Sequence, residues 1–132
     1  MATWEDVRRL VAALPGTDEH ASYGGRPSWR VAGKGFVFER PLGEADLATL
    51  ARVGNPVDGP VLGARTADEG EKLELIAADP RVYFTIPHFD GYPAVLVHLD
   101  RIAVDELAEV VDTAWRSRAP RRLLAARDGS ST

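Results

Sequence analysis

At 132 residues the chain has room for one domain, since domains run to about 100–200 residues, and 45% apolar residues fill a core of that size without covalent staples. The absence of cysteine excludes disulfides, thiolate nucleophiles and cysteine-held zinc or iron–sulfur groups, and no apolar run approaches the roughly 18–20 residues of a membrane span. A formal charge of −4 does not announce a polyanion binder, and the acidic start Met1-Ala2-Thr3-Trp4-Glu5-Asp6 lacks the basic-then-apolar order of a secretory signal, so a cytoplasmic protein with no membrane partner is expected.

Thr3 with Asp6 forms a capping-box pattern, and Val7, Leu10, Val11 and Leu14 recur at helical spacing. Pro15-Gly16 ends this first helix, because proline cannot continue it and glycine takes the left-handed conformation past a helix end. Residues 17–27 include Ser22, Gly24, Gly25 and Pro27 and lack sustained alternation; they read as a loop with at most a short extended piece at His20-Tyr23. Ser28 to Ala32 and Phe36 to Glu39 flank Gly33-Lys34-Gly35, the pattern of a hairpin with a three-residue turn. A short helix over 44–51 follows, with Leu47, Leu50 and Ala51 facing inward, and Val61 to Arg65 is the third strand.

Thr66 with Glu69 makes a second capping box, ahead of an inward stripe of Leu73, Ile76 and Ala77 that Asp79-Pro80 stops. Val82 to Ile86 and Ala94 to Leu99 form a second hairpin around the loop Pro87 to Pro93. Asp105 and Glu106 open a last long helix with Leu107, Val110, Val111 and Ala114 inside, and Pro120 breaks it. Arg121 to Asp128 adds one or two turns. A single domain over 1–127 and a disordered tail over 128–132 are expected. The order helix, three strands, helix, two strands, helix predicts an α+β fold, one antiparallel sheet with helices on one face.

Several spaced segments carry a resemblance: Leu14-Pro15-Gly16, Ser22-Tyr23-Gly24, Trp29-Arg30-Val31-Ala32-Gly33-Lys34-Gly35-Phe36, Gly70-Glu71-Lys72, the run from Tyr83 to Val97, and Ala114-Trp115-Arg116-Ser117-Arg118-Ala119-Pro120-Arg121-Arg122-Leu123. In this order they resemble the MmcQ/YjbR family. The resemblance implies a two-layer α-β(3)-α-β(2)-α arrangement like that of secretion chaperones. It also brings the family's label of predicted DNA binding, which rests on two wing-like hairpins, and no catalytic residue set. Fold alone does not fix function.

Charge is unevenly distributed: residues 1–115 hold 11 basic and 19 acidic side chains, whereas residues 116–127 hold five arginines and no acid. Arg116, Arg118, Arg121 and Arg122 are candidate phosphate contacts, with Trp29, Arg30 and Lys34 on the first hairpin as secondary ones, giving weak and salt-dependent DNA binding. The competing reading has these arginines complementing a helix C-terminus and pairing with acidic helix faces.

His88, Asp90 and Tyr92 in the loop, with Tyr83 and His98 on a sheet face expected to be open, are candidates for a small-ligand or protein-interaction site. A His–Asp pair is also the minimal equipment for acid–base chemistry; Asp90-Gly91 is equally a turn dipeptide. No nucleophile, third metal ligand or phosphate-loop spacing accompanies the pair. A non-catalytic binding domain is therefore expected, without metal or cofactor, as a monomer or weak dimer. Lys72 and Glu39 are a candidate ion pair.

Overall fold

A computed structural model describes residues 1–21 and 25–129. Ser22, Tyr23, Gly24 and the tail 130–132, on which parts of the loop and tail expectations fall, lie outside the described residues. The elements in chain order are α1 (Trp4–Ala12), β1 (Thr17–Ala21), β2 (Pro27–Val31), β3 (Lys34–Glu39), α2 (Glu44–Arg52), β4 (Val61–Arg65), α3 (Glu69–Ala78), β5 (Tyr83–Phe84), β6 (Ala94–His98), α4 (Val104–Arg118) and α5 (Arg121–Gly129). The strands form one antiparallel sheet in the order β1-β2-β3-β4-β6-β5. The fold is α+β.

Thr3 caps α1 as its spacing predicts: its side chain accepts from the Asp6 backbone N–H and the Asp6 carboxylate accepts from the Thr3 N–H. The buried stripe of α4 runs Leu107, Val110, Val111, Ala114 and Trp115. Together with α1 it covers Trp29, Val31, Val37, Leu62, Ala64, Val95 and Val97 on one sheet face. A register shift between Trp29 and Arg30 adds a residue to β3, and Phe36 and Val37 are consecutively buried there, as a bulge permits.

Residues 17–21 form an edge strand, contrary to the loop expected there. Their mostly polar side chains give no alternation, and pairing with β2 supplies what the pattern does not. The first hairpin turns on Ala32 and Gly33, both with positive φ, so the turn has two residues and Lys34 opens β3. On α2 only Leu50 is buried, while Leu47 and Ala51 face out. The cap of α3 is Asp68, which accepts from Glu71 N–H at 2.8 Å; Thr66 instead donates to the Asp68 carbonyl. Its inward residues are Lys72, Leu75 and Ile76, and Leu73 is 54% exposed. Helix α5 runs to Gly129, beyond the boundary expected after residue 127.

The second sheet face is not open at β6. A second cluster of Leu50, Val61, Phe84, Ile86, Phe89, Ala94 and Leu96 covers it, with Phe38, Leu42 and Val57 at its margin. Gly63 faces Phe38 across β3 and β4, and a Cβ there would stand 2.3 Å from the Phe38 ring, so only glycine lets this aromatic lie flat over the strand.

Candidate functional site

The arginine-rich segment is a helical elbow. Pro120 has no N–H to continue α4, so α4 stops at Arg118 and the Pro120 carbonyl accepts from Leu123 and Leu124 N–H at the start of α5. The elbow is held to the body of the protein. Trp115, fully buried, donates through Nε1 to the Pro15 carbonyl at 3.0 Å, and Leu123 packs against Gly16 in the turn after α1.

Two of the five arginines are neutralised. Arg116 pairs with Asp112 at 2.8 Å and Asp128 at 2.9 Å, and Arg127 pairs with Asp112 at 2.8 Å and lies over the Trp115 ring. Asp128 and then Asp112 raise Arg116 above the usual guanidinium range, and Asp128 is held below the usual carboxylate range by the same contact. Among the described residues Arg118, Arg121 and Arg122 have no carboxylate partner. Arg121 and Arg122 are exposed, and the Arg118 Nε is buried without a hydrogen-bond partner. The first turn of α5 carries no acid, so its positive end adds to these three charges.

The first hairpin contributes less than expected. Trp29 is 2% exposed, stacked on Trp4 and donating to Glu19 at 3.0 Å. Strand alternation puts it with Val31 on the helix-covered face, which rules it out as a nucleic-acid contact. Arg30 is tied to Asp18 at 2.7 Å, and this bond lowers the Asp18 carboxyl pKa. Lys34 stands exposed after the turn.

The loop after β5 begins with a single 3-10 turn, Pro87–Phe89. Its anchor is Lys72, 1% exposed, whose Nζ donates to the carbonyls of Phe89 at 2.6 Å and Tyr92 at 3.0 Å and pairs with Glu69 at 3.5 Å. Lys72 therefore does not pair with Glu39, which meets Arg26 at 2.6 Å. Phe89 is buried; His88 and Asp90 are exposed, with no hydrogen bond between them. Tyr92 meets Phe89 edge-on and carries Arg65 over its ring at 4.7 Å. No group of three His, Asp or Glu side chains suited to a metal occurs among the described residues.

Tyr83 and His98 do not share a face. Tyr83 pairs with Val97, and Phe84 with Leu96. Tyr83 therefore points under the helices, where its hydroxyl donates to Glu106 and burial, then that carboxylate, pushes its pKa far up. It lines a cleft of about 390 Å³ with Glu71, Asp105, Glu106 and Glu109 over Leu75, Val95 and Val110. His98, on the other face, is 1% exposed, stacked on Phe84 at 4.4 Å and bonded through Nε2 to Asn55 Oδ1 at 3.0 Å. Burial, reinforced by Arg101, pushes its pKa down to about 4. Neither residue belongs to an exposed ligand face.

A second concavity, of about 370 Å³, lies beside the loop, between the end of β3, Pro41 and the 3-10 turn; Phe38, Phe89, Arg40 and His88 line it. Arg40 lies over the Phe89 ring at 5.5 Å and donates to the Pro41 carbonyl. The sequence marks Lys72 only as a partner for Glu39 and gives Arg40 and Asn55 no role. A lysine in the middle of an otherwise apolar helix face was the one available signal, and only for Lys72.

The family model described as YjbR matches residues 12–117. The chain is 50% identical over 127 residues to the uncharacterized protein Rv2570 of Mycobacterium tuberculosis (strain H37Rv) and to the uncharacterized protein Mb2600 of Mycobacterium bovis, an alignment covering 96% of this chain and 95% of each relative. No solved structure matches it.

Proposed function

The chain belongs to the YjbR family, and from that membership we propose that it is a non-catalytic binding domain that meets the phosphates of DNA through Arg118, Arg121 and Arg122 at the α4–α5 elbow. The observation that carries this reading is the local imbalance of charge. Arg8, Arg9, Arg26, Arg30, Arg81, Arg101, Arg116 and Arg127 each have a carboxylate within ion-pair distance; of the arginines with none among the described residues, Arg118, Arg121 and Arg122 stand within five positions at the elbow, whereas Arg40, Arg52 and Arg65 lie on separate segments. A rigidly anchored cluster of guanidiniums next to an acid-free helix start favours an anion, and phosphates are among the anions that arginine grips in parallel, paired hydrogen bonds.

Three phosphate contacts give a small, sequence-independent interaction. The affinity should fall with a log–log salt slope of about −3, because each neutralised phosphate contributes about −0.9. A non-catalytic role is supported by the histidines: His98 is buried and bonded to Asn55, and His88 has no hydrogen bond to Asp90. The test is titration of a labelled duplex at a series of low to moderate salt concentrations, with the Arg118→Ala/Arg121→Ala/Arg122→Ala variant beside the parent. A slope that collapses towards zero in the variant supports the elbow. An unchanged slope, or no binding by the parent at low salt, removes the DNA reading.

A further inference from the structure

The concavity beside the 3-10 turn has features the elbow lacks: aromatic walls and a rigid frame. Phe38 and Phe89 lie side by side in its lining, their rings in contact with centroids 6.5 Å apart and planes tilted by 49°. The Phe89 wall is fixed from behind, since Lys72 holds the Phe89 and Tyr92 carbonyls and Phe89 itself is 6% exposed. A preformed apolar wall loses little conformational freedom when a ligand arrives.

The rim is basic. Glu39, the acid that borders the groove, is engaged by Arg26 at 2.6 Å. Arg40 makes no ion pair among the described residues; it lies over Phe89 and donates to its neighbour's carbonyl. His88 is exposed, and its ring is 6.0 Å from that of Phe89. Arg40, which has no carboxylate partner among the described residues, and a solvent-facing histidine thus flank an aromatic-lined groove about 370 Å³ in volume, within the range of about 300–1,000 Å³ typical of small-molecule sites.

We propose that this groove binds a small aromatic anion, its ring packed against Phe38 and Phe89 and its oxyanion on Arg40 and His88. The ring contributes apolar burial and offset or edge-on stacking. The oxyanion accepts from the Arg40 guanidinium, which already has its flat face on Phe89 and its N–H edge available. Carboxylate and phosphate monoesters share this chemistry. The site is independent of the elbow and of its proposed partner.

The experiment uses the full chain, with phenylacetate and phenyl phosphate as probes and phenethylamine and indole as controls, followed by calorimetry and by the ring signals of Phe38 and Phe89 in NMR. Saturable binding of at least one anion is expected at millimolar concentration or below, and the better of the two identifies the oxyanion. Phenethylamine should not bind, and indole should bind at least tenfold more weakly. Arg40→Gln should weaken the anion about tenfold and His88→Gln by a smaller factor, with the thermal midpoint of each variant unchanged, since both side chains lie on the rim. The proposal is overturned if neither anion saturates, if indole binds as well as the anions, or if Arg40→Gln leaves affinity intact. A fall in duplex salt slope for Arg40→Gln with no saturable small-anion binding by the parent assigns the groove to nucleic acid instead and overturns the proposal.

Discussion

His98 and Lys72 are both polar residues in the interior, and each is resolved differently. Lys72 has its Nζ surrounded by two carbonyls and Glu69, the partners that a buried amine needs. His98 gives its charge up: stacked on Phe84 and bonded to Asn55 Oδ1, which also accepts from Arg101 at 3.4 Å, it is held neutral with a pKa of about 4. The unfolded chain binds a proton at this residue near pH 6.5, so between that pH and about 4 the unfolded state carries the extra proton and stability falls as pH falls. The loss should be on the order of 2 kcal/mol between pH 7 and 5. Urea midpoints across that range should fall in the parent and stay nearly level in His98→Leu, whose apolar side chain has no proton to take up. Equal slopes in the two proteins would mean that His98 is accessible.

At the scale of elements, the first hairpin turns where a left-handed residue pair is required, and it uses Ala32 with φ 49° followed by Gly33 with φ 81°. A Cβ in that region costs roughly 1–2 kcal/mol, partly offset by the greater unfolded-state freedom of glycine. Ala32 is exposed and its N–H, which donates to the Gly16 carbonyl at 3.1 Å, is retained by glycine. Ala32→Gly should therefore raise the unfolding free energy by about 0.5–1 kcal/mol, read from chemical denaturation. A loss of stability would show that the alanine methyl makes contacts that outweigh its strain. The same pair accounts for the shift from the expected turn: Gly33-Lys34-Gly35 marks it one residue late, because the first left-handed position is an alanine.

At the scale of the whole molecule, the acidic excess of the chain is distributed so that it pairs most arginines, Arg116 and Arg127 among them, while Arg118, Arg121 and Arg122 have no carboxylate partner among the described residues. Asp112 is the pivot of that distribution, binding both Arg116 and Arg127. Asp112→Asn should cost under about 1 kcal/mol, as surface pairs do, yet tighten duplex binding at low salt, since it removes a carboxylate beside the elbow. Unchanged low-salt affinity in a variant as stable as the parent would place Asp112 outside the field of the contact surface. Among the described residues no helix is long and apolar enough to cross a membrane.

Local chemistry by itself determined the helix caps and breaks at Thr3, Pro15 and Pro120, the stripe of α4, the β2–β3 and β5–β6 pairings and hence the α+β class, together with the concentration of arginines at residues 116–127. These are properties of neighbours a few positions apart, where spacing and propensity act directly. Only the tertiary structure decided that Trp29 is core, that Tyr83 and His98 lie on opposite faces, that α2 and the 85–93 segment close the second face, and which arginines stay unpaired. Each of those depends on strand register and on carboxylates far away in the chain. Burial and ion pairing are set by what long-range packing brings within a few ångströms, and no local pattern encodes that distance.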